Sequence, residues 1–74
     1  MGEFKKIMLD HRTETFMAVC NVMNYREAAE LLHITQPAVT QHIQFLEKEY
    51  GCRLFLYENR KLIKTPAAQM LEDY

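Results

Sequence analysis

The sequence lacks several features that would point to a secreted or membrane protein. Its 74 residues include no tryptophan, two glycines, two prolines and two cysteines. It has no apolar run near the roughly 18 residues that cross a bilayer, and its amino terminus lacks the pattern of a signal peptide. A chain of this length closes one small core. We therefore expect a single soluble domain in the cytoplasm, with no membrane partner.

Cysteine and histidine are too few and too scattered to predict a metal site. Cys20 and Cys52 do not form a CxxC pair, and His11, His33 and His42 lack zinc-ligand spacing from them. We expect both thiols to be reduced and at or near the core, where a thiol is normally inert. The sequence also has no glycine-rich phosphate loop and no catalytic arrangement of serine, histidine and acid. It therefore predicts no metal, no cofactor and no enzymatic activity.

Positive charge is scarce overall but concentrated in one stretch. The net charge is −1, which by itself argues against a nucleic-acid partner, because basic surface supplies much of that affinity. Residues 51–71 nevertheless carry four basic side chains against one acidic. Residues 31–46 contain no aspartate, glutamate, lysine or arginine. A long uncharged segment therefore precedes a basic one.

Apolar residues recur at helical spacing in the first half of the chain. This spacing predicts an amphipathic helix over residues 10–23 and a shorter one over 25–32. In the second helix we expect Leu31 and Leu32 to be buried. Asn24 either ends the first helix or caps the second.

A third helix is predicted over residues 35–50. Its amino-terminal cap is Thr35 or Gln36, with Pro37 in the first turn. Gly51 follows the last turn, as is usual at helix ends. The face predicted to be buried comprises Val39, Ile43, Leu46 and Tyr50. The opposite, polar face comprises Gln36, Pro37, Thr40, Gln41, Gln44 and Lys48.

After the third helix the pattern changes to short β-prone runs. Residues 53–57 and 61–64 predict a hairpin with a basic tip at 58–60. Thr65 followed by Pro66 predicts the start of a fourth helix. Because the apolar side of that helix is incomplete, we expect the chain to be part of a longer protein.

Two helices joined by a short turn, followed by a basic hairpin, predict a winged helix-turn-helix. The expected fold is mostly α with a small β-hairpin wing: three helices and the start of a fourth. The major groove of DNA admits one helix, and glutamine or threonine can bond to base edges there. The basic residues of the wing would then supply the charge. A protein-interaction module without DNA binding is the alternative, which a net charge of −1 would suit.

The stretch NYREAAELLHITQPAVTQHIQFLEKEYGCRLF, residues 24–55, resembles the winged helix-turn-helix of LysR-type transcriptional regulators. The matching elements are the alanine pair, the Gln-Pro-Ala-Val-Thr run, Ile43, Leu46, Glu47, Gly51, Leu54 and Phe55. The resemblance covers about residues 9–74. It implies a bacterial DNA-binding domain at 8–64 and the start of a dimerisation (linker) helix at 65–74. Residues 1–7 would then be an extension, native or left from cloning.

The resemblance also implies roles and partners. Thr35 and Thr40 would bind phosphates of the DNA. Asn24 would contact the DNA backbone, and Arg60 would enter the minor groove. The base edges would meet Gln36, Pro37, Ala38 and Gln41. The full set of candidate DNA-binding residues, with the outer helix face and the basic wing, is Asn24, Thr35, Gln36, Pro37, Ala38, Thr40, Gln41, Gln44, Arg53, Arg60, Lys61 and Lys64. The implied partners are double-stranded operator DNA, a second subunit through the linker helix, and a small-molecule effector bound by a further domain.

Three positions depart from the family pattern. Tyr57 stands where the wing usually has arginine, Lys64 where leucine is common, and Ala68 where glycine is usual. Lys64 would restore charge lost at Tyr57. Two alternatives stay open from the residues alone: the glutamines are an ordinary solvated helix face, and Arg60 with Lys61 only keeps a hairpin tip soluble. His42 is expected to be packed or on the surface, not a ligand.

Overall fold

The computed structural model describes residues 11–73. Its elements are α1 (His11–Val22), α2 (Tyr25–Leu32), α3 (Gln36–Tyr50), β1 (Phe55–Glu58), β2 (Lys61–Lys64) and α4 (Pro66–Asp73). The first three helices pack against one another, and the two strands form an antiparallel hairpin. This arrangement confirms the predicted winged helix-turn-helix. Asp10, the predicted start of the first helix, and the extension at 1–7 lie outside the described residues.

The junction between α1 and α2 is fixed by a cap. Asn24 has extended backbone angles, and its side-chain oxygen accepts a hydrogen bond of 2.9 Å from the backbone N–H of Glu27. Asn24 is therefore the cap of α2, which decides between the two roles predicted for it. Met23, directly before it, adopts a positive φ of 50°, which turns the chain between the helices.

The turn between α2 and α3 uses three consecutive residues. His33 ends α2 in the left-handed conformation, with φ 59°. The side chain of Ile34, the next residue, is partly buried against the core. The Thr35 hydroxyl oxygen then accepts a hydrogen bond of 3.2 Å from the backbone N–H of Ala38. The cap of α3 is thus Thr35 and not Gln36, and this hydrogen bond satisfies one of the amides that the first turn leaves unpaired.

The core is built where the three helices and the wing meet. Phe55 is almost fully buried, and its ring centroid lies 5.7 Å from that of Phe16 and 6.2 Å from that of Tyr25. Ala28 has no exposed surface, and its small side chain lets α2 approach its neighbours closely. The remaining buried apolar residues are Ala18, Val19, Cys20, Ala29, Val39, Ile43, Leu46, Leu54 and Ala68.

Three burial predictions are wrong. Leu31 is 57% exposed, because the short α2 turns its alanines and Leu32 inward instead. Tyr50 is 48% exposed, because it is the last residue of α3, one turn beyond the buried Leu46. Cys52 is exposed in the loop after Gly51, although Cys20 is buried as expected. The errors at Leu31 and Tyr50 come from extending a helical pattern to the edge of the packed region, whereas the expectation for Cys52 rested on the lack of a CxxC pair and of zinc-ligand spacing.

The wing is shifted slightly from its predicted position. Strand β1 begins at Phe55 and ends at Glu58, where residues 53–57 were expected. The amide of Leu54 does not join the ladder, because it donates a 2.8 Å hydrogen bond to Oε2 of Glu47. The loop is two residues long, with φ of 51° at Asn59 and 65° at Arg60. Two positive φ values are the pattern of the type I′ turn that suits a twisted hairpin.

Helix α4 is tied to the start of the wing. The hydroxyl of Thr65 donates a 2.6 Å hydrogen bond to the carbonyl of Arg53 and accepts one of 3.2 Å from the amide of Ala68. Pro66 follows as the first helical residue, where the missing N–H costs little. Ala68 is fully buried in the core cluster, so a larger side chain at this position would displace α4.

The packing of Phe55 predicts a large effect on stability. We expect Phe55→Ala to lower the free energy of unfolding by about 3–5 kcal/mol, because it leaves a cavity between the wing and the helices. Leu56→Ala, at the exposed neighbouring position, should cost less than about 1 kcal/mol. Urea unfolding followed by circular dichroism measures both. Equal losses for the two variants would show that the wing is not anchored through Phe55.

Candidate nucleic-acid interface

Helix α3 presents two different faces. Val39, Ile43 and Leu46 are buried against the other helices. On the opposite side, Gln36, Pro37, Gln41 and Gln44 are exposed, whereas Ala38 and Thr40 are partly buried. Six of the predicted DNA-binding residues therefore lie on or beside the solvent face of one helix. These side chains carry hydrogen-bonding and small apolar groups but no net charge.

An open cleft of about 610 Å³ lies beside the first turn of α3. It separates the amino terminus of α2 from the wing. The cleft brings together four predicted site residues that are distant in sequence: Asn24, Gln36, Arg60 and Lys61. The start of α2, the start of α3 and the tip of the wing thus share one concave surface.

The sequence predictions missed five of the residues that line the cleft: Met23, Tyr25, Arg26, Tyr57 and Leu62. Arg26 lies in the first turn of α2, and Tyr57 is 67% exposed on β1. A signal for Arg26 was present, since a cation at a helix amino terminus opposes the helix dipole by about 0.3–1 kcal/mol. A cationic residue at this unfavourable position is often there for binding and not for helix stability. With Arg26, the lining of the cleft has three cationic side chains and no acidic one.

Tyr25 adds a neutral polar group to the same cleft. Burial raises the pKa of its phenol to about 12, so the hydroxyl stays protonated at neutral pH. Asn24 beside it already uses its side-chain oxygen to cap α2. Its side-chain amide nitrogen, like the Tyr25 hydroxyl, is a donor. The cleft therefore combines hydrogen-bond donors with positive charge, which suits an anion.

The other two basic residues of the predicted site are placed differently. Arg53 and Lys64 are at the base of the wing and do not line the cleft. Nε of Arg53 lies 3.4 Å from Oε2 of Glu47, and Nζ of Lys64 lies 2.6 Å from Oε1 of Glu72. The hydrogen bond with Glu72 raises the pKa of Lys64. The positive charge of the wing is thus divided between a tip at the cleft and a base that pairs with α3 and α4.

No other site in the described part of the chain competes with this surface. Residues 11–73 contain no group of three His, Cys, Asp or Glu side chains placed to hold a metal ion. Burial raises the pKa of the Cys20 thiol to about 11, which disfavours the nucleophilic thiolate. No helix in this range combines the length and apolarity that spanning a bilayer requires.

Comparison with known proteins identifies the family. The sequence profile of the bacterial regulatory helix-turn-helix proteins of the lysR family matches residues 11–69. The chain belongs to the LysR family. It is 43% identical over 61 residues to the uncharacterized HTH-type transcriptional regulator YxjO of Bacillus subtilis, covering 82% of this chain and 21% of that protein. It is 38% identical over 68 residues to the regulator CitR of Bacillus subtilis, covering 81% of this chain and 23% of that protein.

Solved LysR-family structures have the same fold. A LysR-family transcriptional regulator from Eggerthella lenta superposes with a TM-score of 0.86 at 59% identity, covering 89% of this chain and 94% of that chain. The BenM DNA-binding domain in complex with the benA site 1 DNA superposes with a TM-score of 0.79 at 32% identity, covering 85% of this chain and 71% of that chain. The chain spans about a fifth of the length of the curated LysR-family relatives it matches.

Proposed function

We propose that this chain is the sequence-specific DNA-binding domain of a LysR-type transcriptional regulator. Helix α3 enters the major groove, and the wing lies on the backbone or in the adjacent minor groove. The observation that carries the proposal is the position of an uncharged, exposed helix face beside a cleft lined by three cations. The similar BenM and CbnR domains were both solved as complexes with DNA.

The polar face of α3 has the chemistry and the length needed to read bases. Glutamine side chains both donate and accept, and they pair in a bidentate way with adenine. At a rise of 1.5 Å per residue, Gln36 and Gln44 are separated by about 12 Å along the helix axis, so the glutamines are spread over about two helical turns. Pro37 and Ala38 offer small apolar groups for a thymine methyl. We assign base readout to Gln36, Pro37, Ala38, Gln41 and Gln44.

Phosphate contacts come from both sides of the helix. Thr35 accepts its capping hydrogen bond and keeps its own hydroxyl proton for a phosphate oxygen. Thr40 lies five residues later, on the edge of the reading face. Across the cleft, Arg60 and Lys61 of the wing tip face Arg26, so a phosphate in the cleft would meet donors on both walls. Such contacts hold the protein in place without reading sequence.

Arg53 and Lys64 have lesser parts in the proposed contacts. Arg53 is largely exposed, so its partial pairing with Glu47 leaves it able to meet a phosphate. Lys64 is more enclosed and bonded to Glu72, and we assign it to holding α4 against the wing. This replaces its predicted role of restoring charge lost at Tyr57.

The proposal extends to the whole protein. Residues 8–64 form the DNA-binding domain, and residues 65–74 begin a helix through which two subunits pair. The exposure of Met70 supports pairing through α4. This apolar side chain is 75% exposed, while Ala68 of the same helix is buried. The much longer relatives support a further domain, to which we assign the binding of a small-molecule effector. The protein would act in the cytoplasm, on the nucleoid, as a regulator and not an enzyme.

Direct readout by α3 predicts a site-specific loss. Gln41→Ala should weaken binding to the preferred duplex by about 1–3 kcal/mol and binding to random DNA much less. Fluorescence anisotropy with both duplexes measures the difference. Gln69→Ala, which removes an exposed glutamine of α4, is the matched control and should leave the difference between the two affinities unchanged. Equal losses on the two duplexes would limit Gln41 to positioning.

Phosphate contact at the wing tip predicts a change in salt dependence. Arg60→Gln should make the slope of log affinity against log salt shallower by about one unit, whatever the DNA sequence. Lys64→Gln, a wing cation paired with Glu72, should leave the slope nearly unchanged. An Arg60→Gln slope equal to that of the wild type would exclude the wing tip from the interface. A wild-type chain that binds no DNA at low salt would favour the protein-interaction module, which the net charge of −1 suits.

A further inference from the structure

The interface between α1 and α3 contains one buried polar contact. Thr15 of α1 is 1% exposed and is the one buried polar or charged side chain among residues 11–73. Its Oγ1 lies 2.7 Å from Nδ1 of His42 on α3. The neighbouring contacts of these helices are apolar, made by residues such as Phe16, Val19 and Ile43. This hydrogen bond is therefore a directional connection within a mostly non-directional interface.

The protons of this contact can be assigned. The Thr15 hydroxyl also lies 2.9 Å from the carbonyl oxygen of His11, to which it donates. A hydroxyl has one proton and two lone pairs, so it has no second proton for His42. Nδ1 of His42 therefore carries the hydrogen and donates it to Thr15. The contact fixes both the tautomer and the ring orientation of His42.

A second contact follows the same edge of the interface. The Arg12 guanidinium carbon lies 3.8 Å from the ring centroid of Phe45. Arg12 precedes Thr15 by one turn of α1, and Phe45 follows His42 by one turn of α3. The two helices are thus connected at two successive turns beside the face that carries Gln41.

We propose that the Thr15–His42 hydrogen bond sets the rotation of α3 about its own axis and so aims its reading face. Apolar burial determines which face of α3 turns inward, but because it scales with area it discriminates only weakly among small rotations of the helix, whereas a hydrogen bond weakens steeply when its angle is lost. A rotation of about 10° moves a group roughly 6 Å from the helix axis by about 1 Å, enough to break a base contact. Thr15 and His42 are thus positioning residues that do not touch DNA. This inference rests on the proposed function.

The test compares two substitutions at Thr15. Thr15→Val keeps the branched shape but removes the hydroxyl, and Thr15→Ser keeps the hydroxyl. Affinity is measured on a duplex selected from a random pool by the wild-type chain and on a scrambled duplex. We expect Thr15→Val to weaken binding to the selected duplex about tenfold, the effect of about one lost base contact. Binding to the scrambled duplex should be unchanged, and Thr15→Ser should stay within about twofold of the wild type on both.

The tautomer of His42 gives a readout that a merely structural role would not move. In ¹⁵N spectra of the neutral ring, the proton should reside on Nδ1 in the wild type and in Thr15→Ser. In Thr15→Val it should move, at least partly, to Nε2. A proton on Nε2 in the wild-type protein would overturn the assignment.

Further outcomes separate this inference from the proposed function. The positioning role would be overturned if Thr15→Val prefers the selected duplex over the scrambled one as strongly as the wild type does. It would also be overturned if Thr15→Val loses affinity equally for both duplexes. If Thr15→Val does not fold, His42→Asn and His42→Leu decide the question. The asparagine amide can donate from near the position of Nδ1 and should keep discrimination, whereas leucine should lose it; the same result for both would overturn the role. A wild-type chain that selects no sequence would contradict the proposed function, and this inference with it.

Discussion

Val39 and Ile43 of α3 are almost fully buried, and their burial determines which side of that helix meets solvent. Because side chains three and four positions apart share a helix face, fixing these two leaves Gln41 and Gln44 on the opposite side. Removing two aliphatic side chains from water contributes about 1.5–3 kcal/mol each. The exposed face needs no stabilising contacts of its own, so its composition can be chosen for binding.

The wing depends on the same helix. The Glu47 carboxylate, in the last turns of α3, accepts a 2.8 Å hydrogen bond from the amide of Leu54. The next residue, Phe55, packs in the core beside Phe16. These contacts start the hairpin at a fixed distance from α3. The tip residues Arg60 and Lys61 are consequently held across the cleft from α2. The arrangement allows a weakly acidic chain to present a basic surface at one place.

Features governed by neighbouring residues could be predicted from the sequence. The hydrophobic spacing predicted the helices, the residue types at Asn24, Thr35 and Gly51 indicated where they begin or end, and two short β-prone runs predicted the hairpin. The uncharged face of α3 was also visible, because exposure of that face follows from burial of the other. These features depend on residues within one or two helical turns, so they can be predicted without knowledge of the tertiary packing.

Features governed by distant contacts could not be predicted in the same way. The exposure of Leu31 depends on how closely α2 packs through its alanines, and the start of β1 depends on the Glu47 carboxylate, which binds the amide of Leu54 seven residues later. The pairing of Lys64 with Glu72 and the approach of Arg26 to the wing require the folded chain.

The most direct test of the account is a selection of bound sequences from a random pool of double-stranded DNA, using the 74-residue chain at about 0.1 M salt. The account predicts enrichment of a short motif, a few base pairs long, as expected for one helix in the major groove. A folded chain that retains DNA without enriching any motif, or retains none, would contradict the claim that α3 reads sequence.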